Sequence, residues 1–156
     1  MSFDVAAFAP ADLEEVRALM SEYGETLDVR DRCFQNMDAE LAALPGEYVA
    51  PHGALFVARA AGGAAVGCIA LHGLSGGVCE MKRLYVRPQA QGHGLGRTLA
   101  VTLIAEARRL GFTAMRLDTF ETMVAARGLY ADLGFKPIAP YNDNPMPGLC
   151  YLELAL

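Results

Sequence analysis

The chain has 156 residues and a mass of 16.7 kDa, the size of one domain with a full hydrophobic core. Hydrophobic residues form 53% of the sequence and charged residues 20%, a balance that excludes a disordered chain. Thirteen Lys and Arg against eighteen Asp and Glu give a net charge of −5, which argues against a nucleic-acid-binding protein. We therefore expect one folded domain over residues 1–156 and no nucleic-acid partner.

The sequence carries no recognisable signal for export or membrane insertion. No apolar run approaches the roughly 18 residues of a membrane span, and the N-terminus lacks the basic start of a signal peptide. The four cysteines are scattered without a paired motif, and the three histidines have no metal-binding spacing. The expectation is a cytoplasmic protein with reduced cysteines, no membrane partner and no metal.

Strand-like and helix-like patterns alternate along the chain, which indicates an α/β or α+β domain with one sheet. A short apolar strand is predicted at 3–8, followed by a helix that begins near Pro10 and is interrupted at Gly24. A second amphipathic helix is predicted from about 31 to 44, where Pro45 stops it.

The rest of the chain continues the alternation. Two strands are joined by a Gly-Gly pair typical of a hairpin turn, and a third strand precedes a long helix. The predicted elements are strands at 54–60, 64–74, 78–87, 114–119, 135–139 and 149–154, and helices at 94–110 and 122–133. A loop rich in Pro and Asn, PYNDNPMPG, separates the last two strands.

A glycine-rich turn between the third of these strands and the long helix is the most informative segment. Gly92, Gly94 and Gly96 let the backbone bend sharply and approach a ligand without interference from Cβ atoms. The following helix presents unpaired N–H groups and the positive end of its dipole, which together favour an anion. The turn therefore predicts a phosphate or pyrophosphate site at 92–97, with a merely tight strand-to-helix connection as the alternative.

Two common phosphate-binding motifs fit this turn poorly. The loop of P-loop NTPases needs Gly-Lys-Ser/Thr at the helix start, whereas this chain has Gly96-Arg97-Thr98 after too short a loop. The dinucleotide-binding fingerprint would place its third glycine at Arg97. The preceding strand also carries Glu80 and several basic residues, unlike the apolar first strand of that fold.

Three segments in chain order carry a family resemblance: MKRLYVRP at 81–88, QGHGLG at 91–96 and GLYADLGF at 128–135. They resemble, in that order, the pantetheine-binding strand, the [QR]-x-x-G-x-[GA] coenzyme A signature and the LYxxLGF element of the GNAT superfamily of N-acetyltransferases. The resemblance implies a single α/β domain with a mixed, mostly antiparallel sheet of about seven strands, splayed near its middle, with helices on both faces.

The resemblance also implies roles for individual residues. Backbone groups of Leu84, Tyr85 and Val86 would pair with the pantetheine arm of acetyl-CoA, the cosubstrate. The pyrophosphate would be wrapped by Gln91, Gly92, His93, Gly94, Leu95, Gly96 and Arg97. Tyr130 matches the tyrosine that can protonate the departing thiolate. Many members carry Asn seven residues before that tyrosine, where this chain has Met123, so one coenzyme contact is lost or replaced.

The implied reaction moves an acetyl group to a primary amine of a small molecule or peptide, in a ternary complex. An amine with a pKa of about 10 must lose a proton before it attacks, which calls for a general base. Glu80 is the candidate base, on the coenzyme strand just before the expected thioester position. Its alternative role is an ordinary strand carboxylate paired with Lys82 on the same face. The alternative for Tyr130 is a packed helix aromatic.

Other residues carry weaker hypotheses. The backbone N–H near Leu84 is the natural donor to the thioester oxygen. Asp118 and Glu121 either face the amine or cap the next helix, and Cys79 has no histidine near it in sequence to make it a nucleophile.

Recognition of the acceptor is expected from the first helix pair and the loop at 141–147. Arg30, Arg32 and Tyr141 are candidates for binding a carboxylate on the acceptor. A different acyl donor, or a non-catalytic coenzyme A sensor, is the competing function. A homodimer would be consistent with the family.

Overall fold

A seven-stranded mixed sheet organises residues 2–156, the part of the chain that the computed structural model describes. Its spatial order is β1-β2-β3-β4-β5-β7-β6. The strands are β1 Phe3–Ala7, β2 Gly53–Ala60, β3 Ala65–Gly73, β4 Val78–Val86, β5 Ala114–Phe120, β6 Lys136–Pro137 and β7 Leu149–Ala155. The helices are α1 Leu13–Glu25, α2 Val29–Phe34, α3 Met37–Ala43, α4 Leu95–Arg109 and α5 Val124–Asp132, with single 3₁₀ turns at Pro10–Asp12 and Pro88–Ala90. This is the mixed sheet with helices that the sequence predicts.

Helices cover both faces of the sheet and define two cores. On one face, α4 buries a stripe that includes Leu99 and Leu103, which pack with Ile69 and Leu71 of β3. On the other face, α1 buries a stripe that includes Leu19 against a separate cluster. We call these the α4 face and the α1 face. Because side chains alternate along each strand, β2 and β3 contribute buried residues to both.

The sheet splits between its fourth and fifth strands. Strands β1 to β4 pair antiparallel, whereas β4 and β5 are parallel and pair only where Val78–Glu80 faces Ala114–Arg116. Beyond that point, β4 bends away at a bulge, where the register with β3 shifts and Arg83 adopts a left-handed φ of 62°. The two strands therefore diverge, and a cleft opens between them.

Two sequence-based predictions about helices and strands need correction. The helix predicted at 31–44 is two helices, because Asn36 takes a left-handed conformation with φ 53° and breaks the hydrogen-bond ladder. The first of them begins earlier than predicted, where the side chain of Asp28 accepts a hydrogen bond from the Arg30 N–H at 2.8 Å. The strand predicted at 135–139 is only Lys136–Pro137, and it begins later than predicted because the Phe135 N–H donates to the Tyr130 carbonyl at the end of α5.

Within residues 2–156, no helix is long and apolar enough to cross a membrane.

Candidate active site

The cleft between the diverging ends of β4 and β5 has a volume of about 480 Å³ and takes residues from both sheet faces. Segments 80–84 of β4 and 116–120 of β5 form its walls. Tyr130 of α5 reaches it from the α4 side. On the α1 side it is closed by α1, α2 and the loop before β7, which contribute Tyr23, Leu27, Asp31, Phe34, Gln35, Tyr141, Asn142 and Asn144.

The glycine turn lies at the start of α4 in the geometry of an anion cradle. Gly92 and Gly94 have φ values of 82° and 75°, and Gly94 is the N-cap residue of the helix. A Cβ atom at either position would meet no protein atom within 4 Å, so glycine is needed there for its conformation. The N–H of Thr98 donates to the Gly94 carbonyl at 3.1 Å. The N–H groups of the three helical residues before Thr98 have no intrahelical partner and face the N-terminal end.

Side chains around the turn hold it in place. The Gln91 Nε2 donates to the Val86 carbonyl at 3.0 Å, which ties the turn to β4. Arg97 pairs with Asp132 of α5, with Nη2 and Oδ2 2.9 Å apart, although both side chains are exposed. His93 packs its ring edge-on against Phe3, with centroids 5.7 Å apart, so its side chain belongs to the turn's packing.

The edge of β4 that faces the cleft has free backbone groups. Arg87 donates its N–H to Val66 on β3 at 2.8 Å. Since backbone groups alternate in direction along a strand, those of Val86 and Leu84 point to the cleft and those of Tyr85 to β3. The Val86 carbonyl is the one that Gln91 contacts. Tyr85 instead presents its ring to Tyr23, with centroids 6.2 Å apart.

Glu80 lies at the point where the strands separate, and two side chains hydrogen-bond it. His72 on β3 is its cross-strand partner, with Nε2 2.8 Å from Oε1, and the Tyr141 hydroxyl donates to Oε2 at 2.7 Å. Burial alone would raise the pKa of Glu80, but the His72 hydrogen bond, the Lys82 charge and Tyr141 together hold it below its ordinary value. The pairing of Glu80 with Lys82, the alternative in the sequence, is replaced by these two hydrogen bonds.

Tyr130 fits both of the roles considered for it. Its ring is 7% exposed and packs edge-on against Phe135, with centroids 5.7 Å apart. Its hydroxyl borders the cleft and has no hydrogen-bond partner within residues 2–156. Burial raises the pKa of Tyr130, so the hydroxyl keeps its proton at neutral pH. Met123, in place of the expected asparagine, also borders the cleft.

Two more carboxylates in the cleft, those of buried Asp31 and half-buried Asp118, are held by amides. Asp31 Oδ1 accepts from Gln35 Nε2 at 3.0 Å and from Asn144 Nδ2 at 2.9 Å. Asp118 Oδ2 accepts from Asn142 Nδ2 at 3.2 Å, and burial raises the pKa of Asp118. Sequence analysis named Asp118 but missed Asp31. The signal that could have found it is the i, i+4 spacing of Asp31 and Gln35 on a short helix, which favours a hydrogen bond between the two side chains.

Arg83, at the β4 bulge, anchors the α1 side of the cleft. Its Nε lies 2.7 Å from Glu40 Oε2 and its Nη2 3.0 Å from Glu40 Oε1, and Nη1 donates to the Gln35 side chain. The Arg83 side chain is 1% exposed. The bidentate pair joins the bulge to α3, so the guanidinium has its charge matched inside the protein and is not free for a ligand.

Several residues singled out by the sequence lie elsewhere. Arg30 is exposed and pairs with Asp28, and neither it nor Arg32 lines the cleft. Glu121 lies outside the cleft, beside Gly148.

Burial raises the pKa of the Cys79 thiol to about 12, so it is not a nucleophile at neutral pH. Over residues 2–156, no group of three or more His, Cys, Asp or Glu side chains is arranged to hold a metal ion.

Comparison with known proteins identifies the family to which the chain belongs. A family model of GNAT acetyltransferases matches residues 15–135, well over half of the chain. The chain belongs to the GNAT acetyltransferase family. An N-acetyltransferase of Schizosaccharomyces pombe is 43% identical to it over 148 residues, covering 94% of this chain and 90% of the relative.

Solved structures show the same fold for this GNAT acetyltransferase. An acyl-CoA N-acyltransferase of Klebsiella pneumoniae matches with a TM-score of 0.73 and 29% identity, covering 99% of this chain and 97% of that one. An acetyltransferase of Salmonella typhimurium, solved with its cofactor acetyl-CoA, matches with a TM-score of 0.71 at 21% identity, covering 99% and 94%. The matched family model and the N-acetyltransferase relative make the protein an acetyl-CoA-dependent N-acetyltransferase, and nothing in these comparisons supports a non-catalytic sensor.

Proposed function

We propose that this GNAT acetyltransferase moves the acetyl group of acetyl-CoA directly to a small primary amine bound on the α1 side of the cleft. The observation that carries the proposal is Glu80. It is an ionised carboxylate at the point where β4 and β5 separate, close to the free backbone edge at Leu84. A base on one side and an open hydrogen-bonding edge on the other are what amine acylation requires.

The coenzyme is placed by the glycine turn and the β4 edge. The free N–H groups at the start of α4 fit a pyrophosphate, and Gly92 and Gly94 leave space at the turn that no protein atom fills. The pantetheine arm would pair with Leu84 and Val86. The Val86 carbonyl oxygen already accepts a hydrogen bond from the Gln91 side chain. The pantetheine arm therefore either shares this oxygen with the Gln91 amide or displaces that amide from it.

Acetyl-CoA supplies an activated thioester carbonyl. Glu80 takes a proton from the substrate ammonium, directly or through a water molecule. The Leu84 N–H donates to the carbonyl oxygen as negative charge develops on it. Tyr130 borders the cleft from the α4 side with its proton retained, and it donates that proton to the thiolate as the C–S bond breaks. The nitrogen loses its second proton as the amide forms, and the Tyr130 hydroxyl regains a proton through water.

The lining of the cleft indicates the chemistry of the acceptor. Three carboxylates face it, from Glu80, Asp31 and Asp118. Of the three cations in the lining, Arg83 and Arg116 are paired with Glu40 and Glu153, which leaves Lys82. The remaining excess of negative charge favours a cationic amine. The rim is apolar: Phe34 is 42% exposed and Met123 44% exposed, and both line the cleft. Burying these exposed apolar side chains against an apolar group of the substrate would contribute favourable binding free energy. We therefore propose a primary amine that carries an apolar substituent.

The test is an acetylation assay with a panel of primary amines, from compact polar amines to aryl-alkyl amines and a peptide N-terminus. Aryl-alkyl amines should have the highest kcat/KM. Glu80→Gln should lower kcat by about 10²- to 10⁴-fold with little change in KM for acetyl-CoA. Glu25→Gln, an exposed matched control, should behave as wild type. Acetylation of no amine, or wild-type kcat in Glu80→Gln, would contradict the proposal.

We also propose a cytoplasmic location, because all four cysteines are free thiols, as is usual in a reducing compartment. The homodimer stays a prediction.

A further inference from the structure

Glu80 is one end of a row of hydrogen-bonded side chains that reaches the protein surface. The ring of His72 bridges two carboxylates, with Nε2 2.8 Å from Glu80 Oε1 and Nδ1 3.1 Å from Glu47 Oε2. The exposed fraction of the side chain rises from 11% at Glu80 to 17% at His72 and 77% at Glu47. The interior end of the row is the proposed base, and the outer end is in water.

The hydrogen that His72 directs at Glu80 follows from the chemistry of its partner. An ionised carboxylate only accepts hydrogen bonds, so Nε2 of His72 donates its N–H to Glu80 Oε1. The positive charge of the protonated ring is a further cause of the lowered pKa of Glu80. The ring of Tyr48 meets His72 edge-on with centroids 6.3 Å apart, and the Tyr48 hydroxyl is fixed by Glu40 Oε1 at 2.7 Å. His72 therefore directs an N–H, and when protonated a positive charge, at one oxygen of Glu80.

The other groups around Glu80 act from different elements. Tyr141 donates to the second carboxylate oxygen at 2.7 Å. Arg116 of β5 is engaged by Glu153, with Nε and Oε2 2.7 Å apart. The charged side chains that line the cleft with Glu80 are Asp31 from α2, Lys82 and Arg83 from β4, and Arg116 and Asp118 from β5, and His72 contacts Glu80 from β3. His72 is the one bonded to Glu80 Oε1.

We propose that His72 is a positioning residue for acetyl transfer, which keeps Glu80 ionised and oriented toward the bound amine. The inference rests on the proposed role of Glu80 as the base. A charge-assisted hydrogen bond favours the ionised carboxylate, and the cross-strand pairing fixes where its free lone pairs point. Without His72, Glu80 would hold its proton to higher pH and lose a fixed direction.

The first experiment measures how His72 affects the titration of Glu80 and does not depend on catalytic activity. Protein labelled with carboxyl-¹³C glutamate is titrated by NMR, and the Glu80 signal is assigned by its loss in Glu80→Gln. In His72→Gln the midpoint of the Glu80 titration should rise by about one pH unit, since an uncharged donor replaces one that carries a positive charge when protonated. His52→Gln, the same change at an exposed turn residue, should leave the midpoint in place. An unmoved midpoint in His72→Gln would overturn the inference.

The second experiment separates positioning from mere stability. His72→Ala should lower kcat about tenfold with KM for acetyl-CoA unchanged, and His72→Gln, which keeps an N–H donor, should recover most of the loss. Wild-type kcat in His72→Ala would overturn the positioning role. If Glu80→Gln keeps wild-type kcat, the base assignment itself fails. If Glu80→Gln loses kcat and His72→Ala does not, only the inference about His72 fails.

Discussion

Replacing Arg83 with methionine tests how the bulge in β4 is held against the helices beside the cleft. Met keeps much of the apolar stem but removes the guanidinium, which makes two hydrogen bonds to Glu40 and one to Gln35. The Arg83 side chain is 1% exposed and that of Glu40 22%, so the substitution leaves a largely buried carboxylate without its cation. The substitution does not change the backbone strain at this position, because a φ of 62° is unfavourable for Arg and for Met alike.

The expected loss of stability is large for a single substitution. Breaking a buried ion pair by removing one partner costs roughly 3–5 kcal/mol, and the partial exposure of Glu40 places the cost near 3 kcal/mol. For a domain of this size each kcal/mol lowers Tm by about 2–4 °C, so Arg83→Met should melt roughly 6–12 °C below wild type.

The assay is thermal and urea unfolding of three variants. Arg83→Met should show the full loss, whereas Arg30→Met, which breaks an exposed pair with Asp28, should melt close to wild type. Arg83→Met combined with Glu40→Met should recover part of the loss, because no charge is then left unpaired in the interior. Wild-type stability in Arg83→Met, or a double variant less stable than the single one, would refute the reasoning.

Two further substitutions address groups inside the cleft. Tyr130→Phe should lower kcat about 10- to 100-fold while Tm stays near wild type, because the ring still packs on Phe135; wild-type kcat would make Tyr130 a packing residue only. Asp118→Asn should raise Tm at pH 7, since burial raises the folded-state pKa of Asp118 above its unfolded value and its ionised form costs stability. That gain should shrink as pH falls toward 3.8, and a gain independent of pH would contradict the cause given.

The parts of the fold that could be predicted from the sequence are those determined by residues close together along the chain. The glycine turn and the start of α4 follow from a short run of residues whose backbone needs are specific. The buried stripe of α4 follows from its helical period. The break at Asn36 was missed because the apolar pattern continues across it, and a single left-handed residue leaves no trace in that pattern.

The partners of the site residues could not be predicted, because they come from register and long-range packing. Glu80 was recognised as a candidate base by its place on β4, but its partners His72 and Tyr141 lie 8 and 61 positions away. The Arg83–Glu40 pair spans 43 positions and depends on a bulge that no local sequence feature reveals. Asn142 and Asn144 belong to a loop that was expected at the acceptor side, although their aspartate partners were not foreseen.

The central claim is that the glycine turn at the start of α4 holds acetyl-CoA for a reaction in the adjoining cleft. Isothermal titration of acetyl-CoA into wild type, Gly94→Val and Gly62→Val tests it most directly. Both glycines have positive φ and an open space at Cβ, but Gly62 lies in the β2–β3 hairpin. A left-handed β-branched residue costs about 1–2 kcal/mol, so Gly94→Val should weaken binding about tenfold while Gly62→Val binds as wild type. Equal binding by all three proteins, or no binding by wild type, would contradict the account.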